Sequence, residues 1–146
     1  MGKRRKAREA TLQILFQLDF NSSESAQAIN HYWQNRKIAP EIKGYGQWLV
    51  EGIISHQKEI DRIIQSFSEH WRLSRMAVVD RNILRMAIFE LLYEENVAPA
   101  IVINEAIEIA KKYSGQQAAV FVNGILDAIS KKLDSIKKTI EEKKNE

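Results

Sequence analysis

The residues best suited to chemistry in this 146-residue chain form a block of cations at its start. Five of the first eight residues are basic, namely Lys3, Arg4, Arg5, Lys6 and Arg8. Ammonium and guanidinium groups bind phosphate oxygens, and basic segments at a chain terminus commonly meet nucleic acid. A solvated first turn of a helix explains such a block equally well. The block therefore indicates nucleic-acid binding without establishing it.

A second candidate is a short segment of amides and one aromatic ring in the last third of the chain. It holds Gln116, Gln117, Phe121 and Asn123, followed by Gly124. Proteins hold single-stranded RNA by cations on its phosphates, by rings stacked on its bases and by amides that read base edges. Phe121 fits a helix core equally well. Gly124 within a helix costs up to about 1 kcal/mol relative to alanine and predicts a close approach by another backbone.

Catalytic motifs are missing from the sequence. It has no H-E-x-x-H pair, no Walker-type glycine loop, no dinucleotide fingerprint and no serine elbow. The three histidines are not at metal-ligand spacing, and Glu105 and Glu108 form a carboxylate pair without a second pair. Zero cysteines exclude a thiolate site. The sequence predicts a binding protein that is not an enzyme and uses no metal or cofactor.

The net charge of +3 is unevenly distributed. Residues 1–10 hold five cations and one acid, and residues 131–146 hold six lysines and four acids, so the residues between carry a net charge of −3. The surplus positive charge thus lies at the two ends of a mildly acidic body. Because no apolar run approaches the roughly 20 residues of a membrane span, and no signal-peptide core follows the basic start, we expect a cytoplasmic protein.

The chain has only two prolines and six glycines, so helix-breaking residues are few. Together with an apolar period of 3.6 residues, this predicts an all-helical chain. The predicted helices span 4–20, 24–36, 40–67, 81–94, 99–115 and 116–133, with a short helical turn before the fourth. Ser22 or Ser23 would cap the second helix, and Gly52 would bend the third. We expect a bundle of six or seven helices in one domain over residues 1–135. A flexible basic arm of residues 1–8 would precede it, and a charged tail of residues 136–146 would follow and fray.

Three segments of the chain resemble the NusB family of bacterial transcription antitermination factors. The first runs from Arg5 to Glu9 and on to Gln13 and Phe16; the second runs from Trp71 to Leu91, and the third from Val102 to Asp127. The resemblance covers residues 4 to about 130. It is specific in the last two segments and weaker between residues 21 and 68.

The resemblance implies an all-helical fold of two small helical subdomains. It implies a heterodimer with the ribosomal protein NusE and a ligand, the single-stranded boxA element of nascent ribosomal RNA, bound within a transcription elongation complex. The family's arginine-rich arm corresponds to Arg4, Arg5, Lys6 and Arg8. The start of the last predicted helix would place Gln117 and Phe121 near RNA, and Asp80 would lie on the face toward the ribosomal protein.

Two other functions stay open at this point. Similar helical modules occur at the N-terminus of ribosomal RNA cytosine methyltransferases, so the chain could be the accessory RNA-binding domain of an enzyme if it is a fragment. It could also be a self-associating bundle, a homodimer whose interface covers the basic surface.

Overall fold

A computed structural model describes residues 2–20, 25–68 and 72–145, and all regular secondary structure in these residues is helical. Within them lie eight α-helices: α1 Lys3–Phe20, α2 Ser25–Gln34, α3 Pro40–Ser55, α4 Gln57–Phe67, α5 Val78–Tyr93, α6 Pro99–Tyr113, α7 Gln116–Lys131 and α8 Leu133–Lys144. A 3-10 turn at Leu73–Arg75 precedes α5. The predicted all-helical fold is confirmed, with more helices than expected. None of the described helices is both long and apolar enough to cross a bilayer.

The extra helices arise at two places. The predicted helix 40–67 is broken at His56, where φ is −110° and ψ is 15°, four residues after the expected bend at Gly52. A straight helix of that length would extend about 42 Å, whereas the break lets both α3 and α4 pack on α5. The predicted tail continues as α8, whose Ile136 and Ile140 pack against the main core. The predicted caps Ser22 and Ser23 lie outside the described residues.

Helix α5 is the centre of the bundle. It packs against α1, α3, α4, α6, α7 and α8, and every residue from Asn82 to Leu92 is buried. A helix that is buried on all sides must also bury its polar residues, which then need partners on neighbouring helices. A smaller apolar cluster around Tyr32 and Trp33 joins α1, α2 and α3 beside the main core.

Glycine lets two of these helices approach closely. A Cβ built on Gly52 of α3 would lie 2.1 Å from Cζ of Phe89 in α5, so the phenyl ring occupies the space of the missing side chain. The close approach predicted at Gly124 is wrong, because a Cβ there would meet nothing within 4 Å. Gly44, near the start of α3, is equally open.

Alanine at two glycines of α3 should therefore have opposite effects on stability. Gly52→Ala should lower the free energy of unfolding by about 1–3 kcal/mol, because the Phe89 ring would have to move. Gly44→Ala should raise it by about 0.5–1 kcal/mol, because alanine favours the helix without a clash. Urea denaturation of both variants measures this, and equal stabilities would show that Phe89 is not seated on Gly52.

Candidate nucleic-acid interface

The basic block forms the first turns of α1 and not the flexible arm expected from the sequence. Helix α1 begins at Lys3 and has no acid in its first turn. Cations at a helix N-terminus oppose the helix dipole. Carboxylates from other helices offset this cost, and they divide the five cations into a buried group and an exposed group.

Arg8 belongs to the buried group. Its side chain is 4% exposed and that of Glu90 is 1% exposed. Its Nε and Nη2 donate to the two carboxylate oxygens of Glu90 at 2.7 and 2.8 Å. This bidentate ion pair joins α1 to α5. Tyr45 of α3 donates its hydroxyl to the same carboxylate at 2.8 Å. Burial, followed by the charge of Glu90, raises the pKa of Tyr45, so the hydroxyl stays protonated.

Arg5 is held in a similar way on the side of α6. Its Nε donates to Oε1 of Glu105 at 2.8 Å, and its Nη2 pairs with Oε2 of the same carboxylate. Arg8 Nη1 also donates to Oε1 of Glu105, at 3.0 Å. The hydrogen bonds from Arg5, reinforced by the charges of both arginines, hold the pKa of Glu105 below its usual value of 4.5. Glu105, which the sequence offered as half of a carboxylate pair, is therefore an anchor for α1.

Lys3, Arg4 and Lys6 form the exposed group. Lys3 is 63% exposed and donates to Glu41 at 2.7 Å, and Arg4 is 46% exposed and donates to Glu94 at 3.2 Å. The Lys3 pair is exposed on both sides, so exchanging Glu41 for another anion costs little. Glu94 is only 11% exposed, but Arg4 binds it through Nη1 alone and keeps its other donors for a second anion. Lys6 is exposed and forms no ion pair with any residue that the structure describes. These three cations are the accessible part of the block.

The structure brings the other predicted residues together in one groove. Gln117, Phe121 and Asp80 line a groove of about 360 Å³ between α7 and the start of α5. Phe121 is half-buried and packs partly on the main core, whereas Gln117 is exposed. One carboxylate oxygen of Asp80 is enclosed and accepts no hydrogen bond from the described residues. Arg75 also lines the groove and adds a cation that sequence reasoning missed.

The position of Gln117 depends on the turn between α6 and α7. Gly115 lies in this turn with φ of 101°, a left-handed conformation that glycine adopts without strain. The turn folds α7 back along α6 and leaves the first residues of α7 exposed.

A polar edge connects this groove to the basic block. Glu9 of α1 accepts hydrogen bonds from Lys112 Nζ at 2.9 Å and from the Tyr113 hydroxyl at 2.7 Å, both at the end of α6. The next residue, Ser114, lines the groove beside Gln117. Lys112 and Tyr113 were not singled out from sequence, although a cation and an aromatic ring adjoin the predicted segment. They make the basic block and the groove parts of one surface.

An exposed aromatic pair lies at the end of α1 that packs near the start of α5. Phe16 and Phe20 of α1 are 41% and 71% exposed, and their ring centroids lie 5.1 Å apart. Asp19 lies between them in sequence, and its Oδ2 is 3.7 Å from Nη2 of Arg81, which follows Asp80 in the chain. Exposed apolar patches of this kind mark protein contacts.

Comparisons with known proteins point to the same family that the sequence motifs resemble. A profile of the NusB family matches residues 5–131. The transcription antitermination protein NusB of Myxococcus xanthus is 40% identical over 134 residues, which cover 89% of this chain and 96% of that protein. Among solved structures, T. maritima NusB superposes with a TM-score of 0.81 at 38% identity, covering 88% of this chain and 90% of that one. A structure of antitermination factors NusB and NusE in complex with dsRNA superposes with a TM-score of 0.79 at 29% identity, covering 90% and 98%.

Removing cations from the two groups should affect stability very differently. Arg8→Ala should lower the free energy of unfolding by about 3–5 kcal/mol, because it leaves the buried Glu90 carboxylate without its guanidinium. Lys3→Ala should change it by less than about 0.5 kcal/mol, because the pair with Glu41 is exposed. Urea denaturation distinguishes them. A small loss in Arg8→Ala would mean that Arg8 does not anchor α1.

Proposed function

The chain belongs to the NusB family of transcription antitermination proteins, and from that premise we propose that it binds RNA in antitermination without a catalytic step. Its ligand is the single-stranded boxA element of nascent ribosomal RNA, and its partner is the ribosomal protein NusE. It acts with the transcription elongation complex in the cytoplasm. Residues 1–135 form the RNA-binding domain, and residues 136–146 are a charged extension of it. The related NusB and NusE complex with dsRNA supports the choice of RNA and of partner.

The observation that carries this proposal is the single surface that joins exposed cations to a half-buried aromatic ring. Lys3, Arg4 and Lys6 contact phosphates, which supply affinity without reading sequence. Phe121 stacks on an unpaired base, and Gln117 reads its edge. An aromatic ring accepts a base in this way only when the strand is single, which favours single-stranded RNA over a duplex.

Arg5 and Arg8 have a positioning role in this proposal. The guanidinium of Arg8 is bound by Glu90 in a buried pair, and that of Arg5 makes two hydrogen bonds to Glu105 in a half-buried pair. Breaking either pair to bind a phosphate would leave a carboxylate without its paired guanidinium, at the greatest cost for buried Glu90. They instead hold the first turns of α1 against α5 and α6. This placement keeps Arg4 and Lys6 at the surface.

We place NusE on the patch formed by Phe16, Phe20 and Asp80. The two rings supply apolar area, and Asp80, which is half-buried, supplies a carboxylate that attracts a polar or cationic group of the partner. Because Asp80 also lines the groove of Phe121, a partner on this patch would border bound RNA. We therefore expect the partner to strengthen RNA binding.

RNA binding should depend on the exposed cations of α1 and on salt. A variant in which Lys3, Arg4 and Lys6 are changed to alanine should bind boxA RNA more weakly, with the slope of log affinity against log salt shallower by up to about 2. The matched control changes three exposed cations elsewhere, Lys37, Arg62 and Lys131. Fluorescence anisotropy at several salt concentrations, with NusE present, measures both variants. Equal losses in the two would contradict a localised RNA site.

NusE binding should depend on the exposed aromatic pair. Phe20→Ala should weaken association with NusE by about tenfold, because a ring that is 71% exposed in the free protein would be buried in the complex. The control is Ile101→Ala, which removes an apolar side chain that is 54% exposed on α6. Isothermal titration calorimetry measures both. If only the Ile101 variant loses affinity, the partner binds elsewhere.

A further inference from the structure

Trp48 of α3 lies beside the exposed cations Lys3 and Arg4 and is not among the RNA contacts proposed above. Its side chain is 38% exposed. It lines two neighbouring grooves, of about 460 and 450 Å³. The first groove is shared with Lys3, Arg4 and Tyr45, so Trp48 is continuous with the accessible cations of α1.

Neighbouring rings fix the position of the indole. Its centroid lies 5.5 Å from that of Tyr45 and 4.9 Å from that of Phe89. The Tyr45 hydroxyl is anchored on Glu90, and Phe89 fills the space above Gly52. An exposed ring that is already positioned loses little conformational entropy when a ligand stacks on it.

The first groove combines flat rings with cations. The guanidinium of Arg4 lies 4.3 Å from the centre of the Tyr45 ring, and the adjacent Lys3 is 63% exposed. Proteins that grip single-stranded nucleic acid combine these features, with rings that take bases and cations that follow the backbone. Glu41 also lines the groove, but it is 71% exposed and already paired with Lys3, so it leaves the groove without a net negative charge.

We infer that Trp48, with Tyr45 behind it, is a second base-stacking site, which binds one or two nucleotides that flank the boxA core. Lys3 and Arg4 contact the phosphates that connect these nucleotides to the core. The site rests on the proposed function, and it extends the RNA contact to the far side of the basic turns of α1.

The test compares boxA core RNA with the same RNA extended by three uridines at its 5′ or its 3′ end, in the presence and in the absence of NusE. A matched extension carries abasic sugar-phosphates and so keeps the charge without the bases. Three proteins are titrated: wild type, Trp48→Ala and Ile54→Ala. Ile54 is the matched control because it lies on the same helix and is 39% exposed. Trp48→Phe retains a ring and should retain part of the effect if Trp48→Ala proves unstable.

For wild type and Ile54→Ala, one of the two uridine extensions should raise affinity by about fivefold or more. Abasic extension should not reproduce this gain, and Trp48→Ala should lose it while binding the core within about twofold of wild type. No gain from either extension, or an equal gain in Trp48→Ala, would overturn the inference. So would a loss in Trp48→Ala that appears only with NusE and is independent of the extension, since Trp48 would then contact protein. Failure of wild type to bind the core RNA would instead refute the proposed function.

Discussion

The rest of the structure depends on the buried pairing of Arg8 with Glu90. Helix α5 is surrounded by other helices, so its polar residues must find partners inside the bundle. Glu90 finds them in Arg8 of α1 and Tyr45 of α3. Five residues earlier on α5, Arg85 pairs through its Nε and Nη2 with Asp61 of α4 at 2.7 and 3.0 Å. The central helix is thereby tied to its neighbours by directional contacts as well as by apolar packing.

This arrangement gives one basic segment two functions. Cations whose side chains turn inward hold α1 in place, and those that turn outward remain available for phosphate. The same carboxylates that neutralise Arg5 and Arg8 leave Lys3, Arg4 and Lys6 as the positive charge that a ligand meets. Because α1 also presents Phe16 and Phe20 at its other end, one helix connects the proposed RNA and protein contacts. Its fixed orientation relates the two surfaces to each other.

Much of this was predictable from the sequence, and the rest depended on tertiary structure. The apolar period predicted most helices, and motif resemblance predicted the family. The inward position of Arg8 also had a signal, since Arg8 lies four residues before Leu12 and seven before Leu15, on the apolar stripe of α1. The break at His56 had none, because the apolar pattern continues from Ile53 to Ile60 across it.

Surface features were harder to predict than helices. Phe121 and Asp80 were assigned to different partners, yet they line one groove because α7 packs next to the start of α5. Trp48 was not distinguished from core aromatics. Its exposure depends on Phe89 and Tyr45 occupying the space beneath it, which no local sequence pattern encodes.

A crystal structure of the complex with NusE and boxA RNA tests the central claim most directly. The account predicts that Arg8 still pairs with Glu90 in the complex while Lys3, Arg4 and Lys6 lie against phosphates. An Arg8 side chain turned outward onto a phosphate, with Glu90 left without a guanidinium, would contradict it.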